Sequence, residues 1–151
     1  MRFALVVSTF NRQITERLLE GAKDCLGQHG VRQSDIGVFK CPGAFELPQV
    51  ANLLAAKGGW DAIVCLGAVI RGETPHFDYV AGQAAAGIQE TALKHGLPVV
   101  FGVLTTNTVE QAEVRAGGPR GNKGWDAAVA AIEMASLFRT IRPKGRAVKK
   151  R

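Results

Sequence analysis

The segment LGAVIRGETPHFDYVAG, Leu66 to Gly82, passes from an apolar run through a polar turn into a helical pattern. Gly72, Glu73 and Thr74 lead into that helix, so their backbone N–H groups could cradle an anion such as phosphate. His76 falls in the first helical turn, where the dipole disfavours imidazolium. A neutral imidazole there can move protons, and it can equally be structural. His29 and His95 each precede a glycine at a helix end, where a C-terminal dipole partnership explains them.

Three other stretches carry usable groups. Thr9-Phe10-Asn11-Arg12 sets an aromatic ring among polar neighbours, so Phe10 is either core or a stacking platform for a planar ring. In CPGAFELP, Gly43 and Ala44 permit close backbone approach. Glu46 in the same stretch either caps the next helix or accepts hydrogen bonds from ligand hydroxyls. TTNTVEQAEVRAGGPRGNKGWD sets Arg115, Arg120 and Lys123 beside glycines, which suits a phosphate ester or is a solvated basic loop. The chain has neither a Walker A run nor G-x-G-x-x-G, which weakens nucleotide-binding readings. Cys25, Cys41 and Cys65 are odd in number, far apart and without C-x-x-C. They read as buried thiols of a cytoplasmic protein, with no disulfide framework and no zinc or other metal site.

These groups sit at the ends of a repeating strand–helix pattern. Apolar runs predict strands at Phe3–Ser8, Ile36–Cys41, Ala62–Ile70 and Pro98–Thr105. Helical spacing predicts helices over Gln13–Gln28, from Leu47 to the Gly58-Gly59 break, over Phe77–Lys94, and through Ala128–Phe138. Thr108-x-x-Gln111 resembles a capping box opening a short helix. Strands rich in Val, Ile, Leu and Phe without alternation require a sheet covered on both faces. The expected fold is therefore α/β: a three-layer α/β/α sandwich with a four-stranded parallel sheet, flavodoxin-like. In such sheets ligands bind beyond the carboxyl ends of the strands.

Composition fits that picture. At 151 residues with 46% hydrophobic content, the chain suits one domain with a substantial core. No apolar run reaches the roughly 20 residues of a membrane span, and MRFALVVSTFN reads as a first strand rather than a signal peptide. Of the 19 Lys and Arg, six lie in the last ten residues, and the remaining 13 balance the 13 Asp and Glu. The net charge of +6 is thus a property of the tail. The expected organisation is one domain over 1–141 and a basic, disordered tail over 142–151. Such a tail solubilises the chain or touches an anionic surface, and a neutral body without an RNA-binding signature argues against nucleic acid as the main partner.

Taken together, STFN (Ser8–Asn11), PGAFELP (Pro42–Pro48), GAVIRGETPHFDYVA (Gly67–Ala81), FGVLTTNTVEQAEVRAG (Phe101–Gly117) and GNKGWDAA (Gly121–Ala128) resemble lumazine synthase. The five pieces fall in family order and cover nearly the whole chain. The chain starts directly at the first core strand, without the extension many members carry, and Asp126 stands where members commonly have glutamate.

The resemblance implies condensation of 5-amino-6-(D-ribitylamino)uracil with 3,4-dihydroxy-2-butanone 4-phosphate. The product is 6,7-dimethyl-8-ribityllumazine, with release of phosphate and water and without a cofactor. It implies that Phe10 stacks on the pyrimidine and Asn11 sets its surroundings. Ala44, Phe45 and Glu46 would hold the ribityl chain, with Val69 and Ile70 lining the ring pocket. Gly72, Glu73 and Thr74 would meet the phosphate, and His76 would transfer protons. Phe101, Arg115 and Lys123 would complete the pocket from an adjacent subunit, Arg115 on the phosphate. Arg71 is expected in a structural ion pair. The same resemblance implies a homo-oligomer, a pentamer at minimum, with a 60-subunit icosahedral shell favoured by the short connection AGGPRGNKG. The alternative is a non-catalytic relative that binds or stores a flavin or lumazine.

Overall fold

A computed structural model describes residues 1–142. The expected tail lies outside the described residues except for Arg142. Four parallel strands, β1 (Phe3–Ser8), β2 (Ile36–Cys41), β3 (Ala62–Ile70) and β4 (Val99–Thr106), lie in the order β2-β1-β3-β4. Leu5 of β1 stands opposite both Val38 of β2 and Val64 of β3, which places β1 inside the sheet.

The long helices are α1 (Arg12–Gln28), α2 (Leu47–Lys57) and α3 (His76–His95). After β4 come the short helix α4 (Val109–Glu113), a small antiparallel hairpin of β5 (Ala116–Gly118) and β6 (Gly121–Asn122), and α5 (Lys123–Ile141).

Alternate side chains of the central strands point to opposite faces, and both faces are covered. Phe3, Leu5, Val7, Val64 and Leu66 pack against α1 and α5. Ala4, Val6, Ile63, Cys65 and Val103 pack against α2 and α3. All six residues of β1 are buried, so β1 has no solvent face to alternate toward. Each fully buried Leu, Ile or Phe contributes about 1.5–3 kcal/mol of transfer free energy. This is the expected three-layer sandwich.

Two close approaches fix the helix pairs. On one face, Gly124 of α5 lies against the backbone of Leu18, where a Cβ would overlap the Leu18 carbonyl. Nearby, Gly21 leaves room for the Asn122 side chain. On the other face, a Cβ on Gly87 would stand 2.7 Å from Pro48. The end of α3 is tied to the middle of α2 by His95 Nε2 and Asn52 Oδ1, 2.7 Å apart.

The first three strands match their expected bounds, and α1 and α3 each begin one residue earlier than expected. The fourth strand starts one residue later than expected, because Pro98 has no N–H for the ladder, and it ends one residue later, at Thr106, which pairs with Ile70. The Thr108 cap is present: Gln111 N donates to Thr108 Oγ1 at 3.1 Å. The Gln111 side chain returns its bond to Asn107 N, one residue before the cap. His29 ends α1 as expected, with Nδ1 2.7 Å from the Cys25 carbonyl oxygen, whereas His95 reaches across to another helix.

Candidate active site

The chain leaves β1 toward one face of the sheet and β3 toward the other, which opens a crevice beyond their carboxyl ends. A cavity of about 700 Å³ lies there. Its wall includes Phe10, Ala44, Phe45, Glu46, Val69 and Ile70, and its rim includes Gly72, Thr74 and His76. The structure thus brings together nine of the fourteen expected site residues.

Phe10 is 72% exposed, which excludes the core reading of its ring. Its N–H donates to the Pro42 carbonyl at 2.9 Å, extending the β1–β2 pairing past the last strand residue. The next residue, Asn11, has φ 60° and ψ 46°, a left-handed conformation that asparagine tolerates better than most residues. Its Nδ2 donates to the Ala68 carbonyl at 2.9 Å, and its own carbonyl accepts from Ile14 N and Thr15 N to open α1. Asn11 therefore fixes the turn that carries Phe10 and does not line the cavity.

Glu46 occupies the N-cap position of α2 but makes no side-chain capping bond. The capping reading therefore does not hold for its carboxylate. The Oε2 lies beside Gly43, 3.2 Å from where a Cβ would stand. A half-buried carboxylate on a cavity wall can accept hydrogen bonds from hydroxyl groups.

The turn into α3 is held from outside the cavity by Arg71. Its N–H donates to the Thr106 carbonyl at 2.8 Å and its Nε to Asn107 Oδ1 at 3.0 Å. Its guanidinium lies 4.4 Å from the Phe77 ring centre and 3.6 Å from Asp78 Oδ1. This is the structural ion pair expected of it. Thr74 Oγ1 accepts from His76 N at 3.4 Å, and His76 opens α3 with its side chain exposed. Glu73 is exposed and does not line the cavity. Tyr79 does line it, and sequence reasoning missed it. The available signal was its spacing of three from His76, which puts both on one helical face.

Phe101, Arg115 and Lys123 do not join this group within one chain. They line a second cleft of about 480 Å³ with Thr105, Gln111, Arg120 and Asp126. That cleft borders β4, a strand paired on one side only among the described residues. Arg115 Nη1 donates to the Gln111 carbonyl at 2.9 Å, and Lys123 N donates to the Arg115 carbonyl at 2.9 Å. Asn122, also missed, organises the base of α5. Its Oδ1 accepts from Gly124 N at 2.8 Å and Trp125 N at 3.2 Å, while its Nδ2 donates to the Arg17 carbonyl at 3.1 Å. An asparagine just before a helical run is a strong capping residue, and that signal was readable. Asp126 is exposed and in no ion pair among the described residues.

The cysteines are free and buried, as expected. Burial, helped by the nearby Glu46 charge, pushes the Cys41 thiol up to about 11. Burial likewise raises Cys65 and, with Asp126 adding to it, Cys25. None is poised as a thiolate nucleophile near neutral pH. Among the described residues no three His, Cys, Asp or Glu side chains converge to hold a metal, and no helix is long and apolar enough to cross a membrane.

The arrangement is a largely apolar cavity with an exposed aromatic ring and a carboxylate on its wall and an imidazole at its rim, and a separate cleft lined by Arg115, Arg120 and Lys123. The family model described as 6,7-dimethyl-8-ribityllumazine synthase matches residues 1–139. A 6,7-dimethyl-8-ribityllumazine synthase of Chloroherpeton thalassium is 54% identical over 140 residues, covering 93% of this chain and 90% of that protein. One from Chlorobium luteolum is also 54% identical, with the same coverage. The chain belongs to the 6,7-dimethyl-8-ribityllumazine synthase family.

Proposed function

We propose that the protein condenses 5-amino-6-(D-ribitylamino)uracil with 3,4-dihydroxy-2-butanone 4-phosphate to 6,7-dimethyl-8-ribityllumazine, a transferase step of riboflavin biosynthesis. The observation that carries this reading is the cavity in which Phe10, Glu46, Ile70 and His76 converge, in a chain of this family. The exposed ring of Phe10 can stack on the pyrimidine, with Val69 and Ile70 against its other side. Ala44, Phe45 and Glu46 hold the ribityl chain, the carboxylate accepting from its hydroxyls. Gly72 and Thr74 meet the phosphate at the start of α3, with Glu73 contributing only backbone there.

The amine of the pyrimidine adds to the ketone carbonyl, and water leaves as the imine forms. Phosphate then departs, and ring closure expels water again. Each step moves protons, and His76 at the cavity rim carries them. Holding both substrates in one pocket supplies much of the acceleration. No side-chain nucleophile is needed, in keeping with buried, protonated thiols.

Arg115, Lys123 and Phe101 reach the reaction from a neighbouring subunit, and Arg115 stabilises the departing phosphate. The supporting observation is that their cleft borders a sheet edge and is separate from the ring pocket of the same chain. The assembly on this reading is a pentameric ring, with twelve rings closing a 60-subunit shell. The short Gly-rich connection before α5 supports the shell, since added residues would change the ring-to-ring angle. The reaction is placed in the cytoplasm, a reducing compartment that keeps thiols unpaired.

The decisive experiment incubates purified protein with both substrates and follows lumazine absorbance and released phosphate. Equimolar lumazine and phosphate are expected. Tight binding of pyrimidine or lumazine without turnover would overturn the reading in favour of a storage protein.

A further inference from the structure

The second cleft holds more positive charge than Arg115 and Lys123 supply. Arg120 lines it as well, and Asp126 is the one acid among its lining residues. No ion pair among the described residues engages Arg115, Arg120 or Lys123. Three cations against one carboxylate leave this cleft net positive, so an anion entering it is favoured.

Backbone groups cannot be the main source of that anion's contacts. The N-terminus of α5 would ordinarily offer free N–H donors here, but Asn122 Oδ1 already takes Gly124 N and Trp125 N. The N–H of Lys123 is used by Arg115, and that of Arg120 by Val114 at 2.8 Å. Arg115 has also turned one of its guanidinium nitrogens back to Gln111. An anion in this cleft is therefore bound by side chains, and among the described residues the Arg120 guanidinium has no hydrogen-bond or ion-pair partner.

The backbone fixes where the Arg120 main chain sits. Arg120 lies in the connection between β5 and β6, next to Gly121 at φ 80°, and Gly118 lies so close to Val114 that a Cβ would stand 2.7 Å from its Cα. The hairpin cannot swing away from the end of α4 without breaking the Arg120–Val114 bond. The hairpin thus fixes where the Arg120 side chain starts, and the planar guanidinium at its end loses less freedom per hydrogen bond than an ammonium would.

We infer that Arg120 is a further specificity-determining contact for the phosphate of the four-carbon substrate, acting with Arg115 and Lys123 across the subunit boundary. This rests on the proposed reaction and extends it to a residue which that reading does not use. A phosphate monoester dianion offers three terminal oxygens, enough for Arg115, Arg120 and Lys123 to contact it together.

The test compares Arg120→Ala and Arg120→Lys with the unaltered protein. It measures KM for each substrate separately, kcat, and competitive inhibition by inorganic phosphate. Arg120→Ala should raise KM for the phosphorylated ketone and the inhibition constant for phosphate by about tenfold, as expected for loss of one partly exposed charged contact. KM for the pyrimidine should not move, and Arg120→Lys should restore most of the loss. Unchanged constants, equal increases for both substrates, or a fall in assembly mass on mass photometry would overturn the inference. Failure of the unaltered protein to make lumazine is a separate outcome, and it would overturn the proposed reaction and this inference together.

Discussion

His76 stands at the mouth of the cavity with its side chain in solvent, and that exposure sets what its removal can do. Water can take over part of the proton traffic, while substrate positioning is untouched. His76→Ala should lower kcat toward the smaller end of the ~10²–10⁴-fold range for general acid–base catalysis and leave residual turnover. An unchanged kcat would remove the imidazole from the reaction. Arg115→Ala should act differently, raising KM for the phosphorylated ketone while calorimetry finds pyrimidine binding retained, and equal loss for both substrates would contradict its role. The thiols supply an independent check. With Cys41 at about 11 in the folded chain, about one molecule in a thousand carries its thiolate at pH 8. Native protein should therefore react slowly with a thiol reagent at that pH, and all three cysteines should react after denaturation. Rapid modification before unfolding would contradict their burial.

At the scale of elements, the α1–α5 crossing is the least forgiving contact. Gly124→Ala drives a methyl group into the Leu18 carbonyl, so its cost should reach or exceed the upper end of the ~1–3 kcal/mol typical of overpacking. A denaturant titration showing no loss would mean that the helices can separate freely. The edge strand is held more lightly. Lys40 Nζ of β2 donates to Glu16 Oε1 of α1 at 2.8 Å, and this hydrogen bond is the main reason the Glu16 carboxyl lies below its ordinary value. A lowered folded-state pKa contributes stability above the ordinary carboxylate range, and that stability is lost as pH falls through the lowered value. Lys40→Met should therefore cost under about 1 kcal/mol at neutral pH and raise the acid-unfolding midpoint slightly. An unchanged midpoint would show that the pair contributes nothing.

The elements also show what could be read in advance. Phe3–Ser8 and Ala62–Ile70 were legible to the residue because nearly uninterrupted apolar runs end at polar turns, and Ile36–Cys41 because its apolar residues stop at Pro42-Gly43. The β5–β6 hairpin was not legible, since three residues and two residues carry no period. Glu46 looked like a capping residue, but its carboxylate makes no capping bond and stands on the cavity wall. Tertiary contact ties the Asn11 amide to Ala68 rather than to the pocket. A linear sequence could not show that Phe101, Arg115 and Lys123 fall into a different cavity from Phe10 and His76. That separation depends on which strand lies at the sheet edge.

For the molecule as a whole, sedimentation at two ionic strengths should find species no smaller than a pentamer, with the shell as the larger form. A stable pentamer alone under both conditions would exclude the shell, and an active monomer would exclude the shared site. The separation of the two clefts has a further consequence for mixtures. His76→Ala chains keep the cationic cleft, and Arg115→Ala chains keep the ring pocket. If the site is shared between subunits as proposed, each variant alone assembles with every site damaged. Chains unfolded together and reassembled at equal amounts would distribute at random, so about one boundary in four joins an intact pocket to an intact cleft. Two crippled proteins should thus regain activity on mixing. Separately assembled rings combined without subunit exchange should gain none.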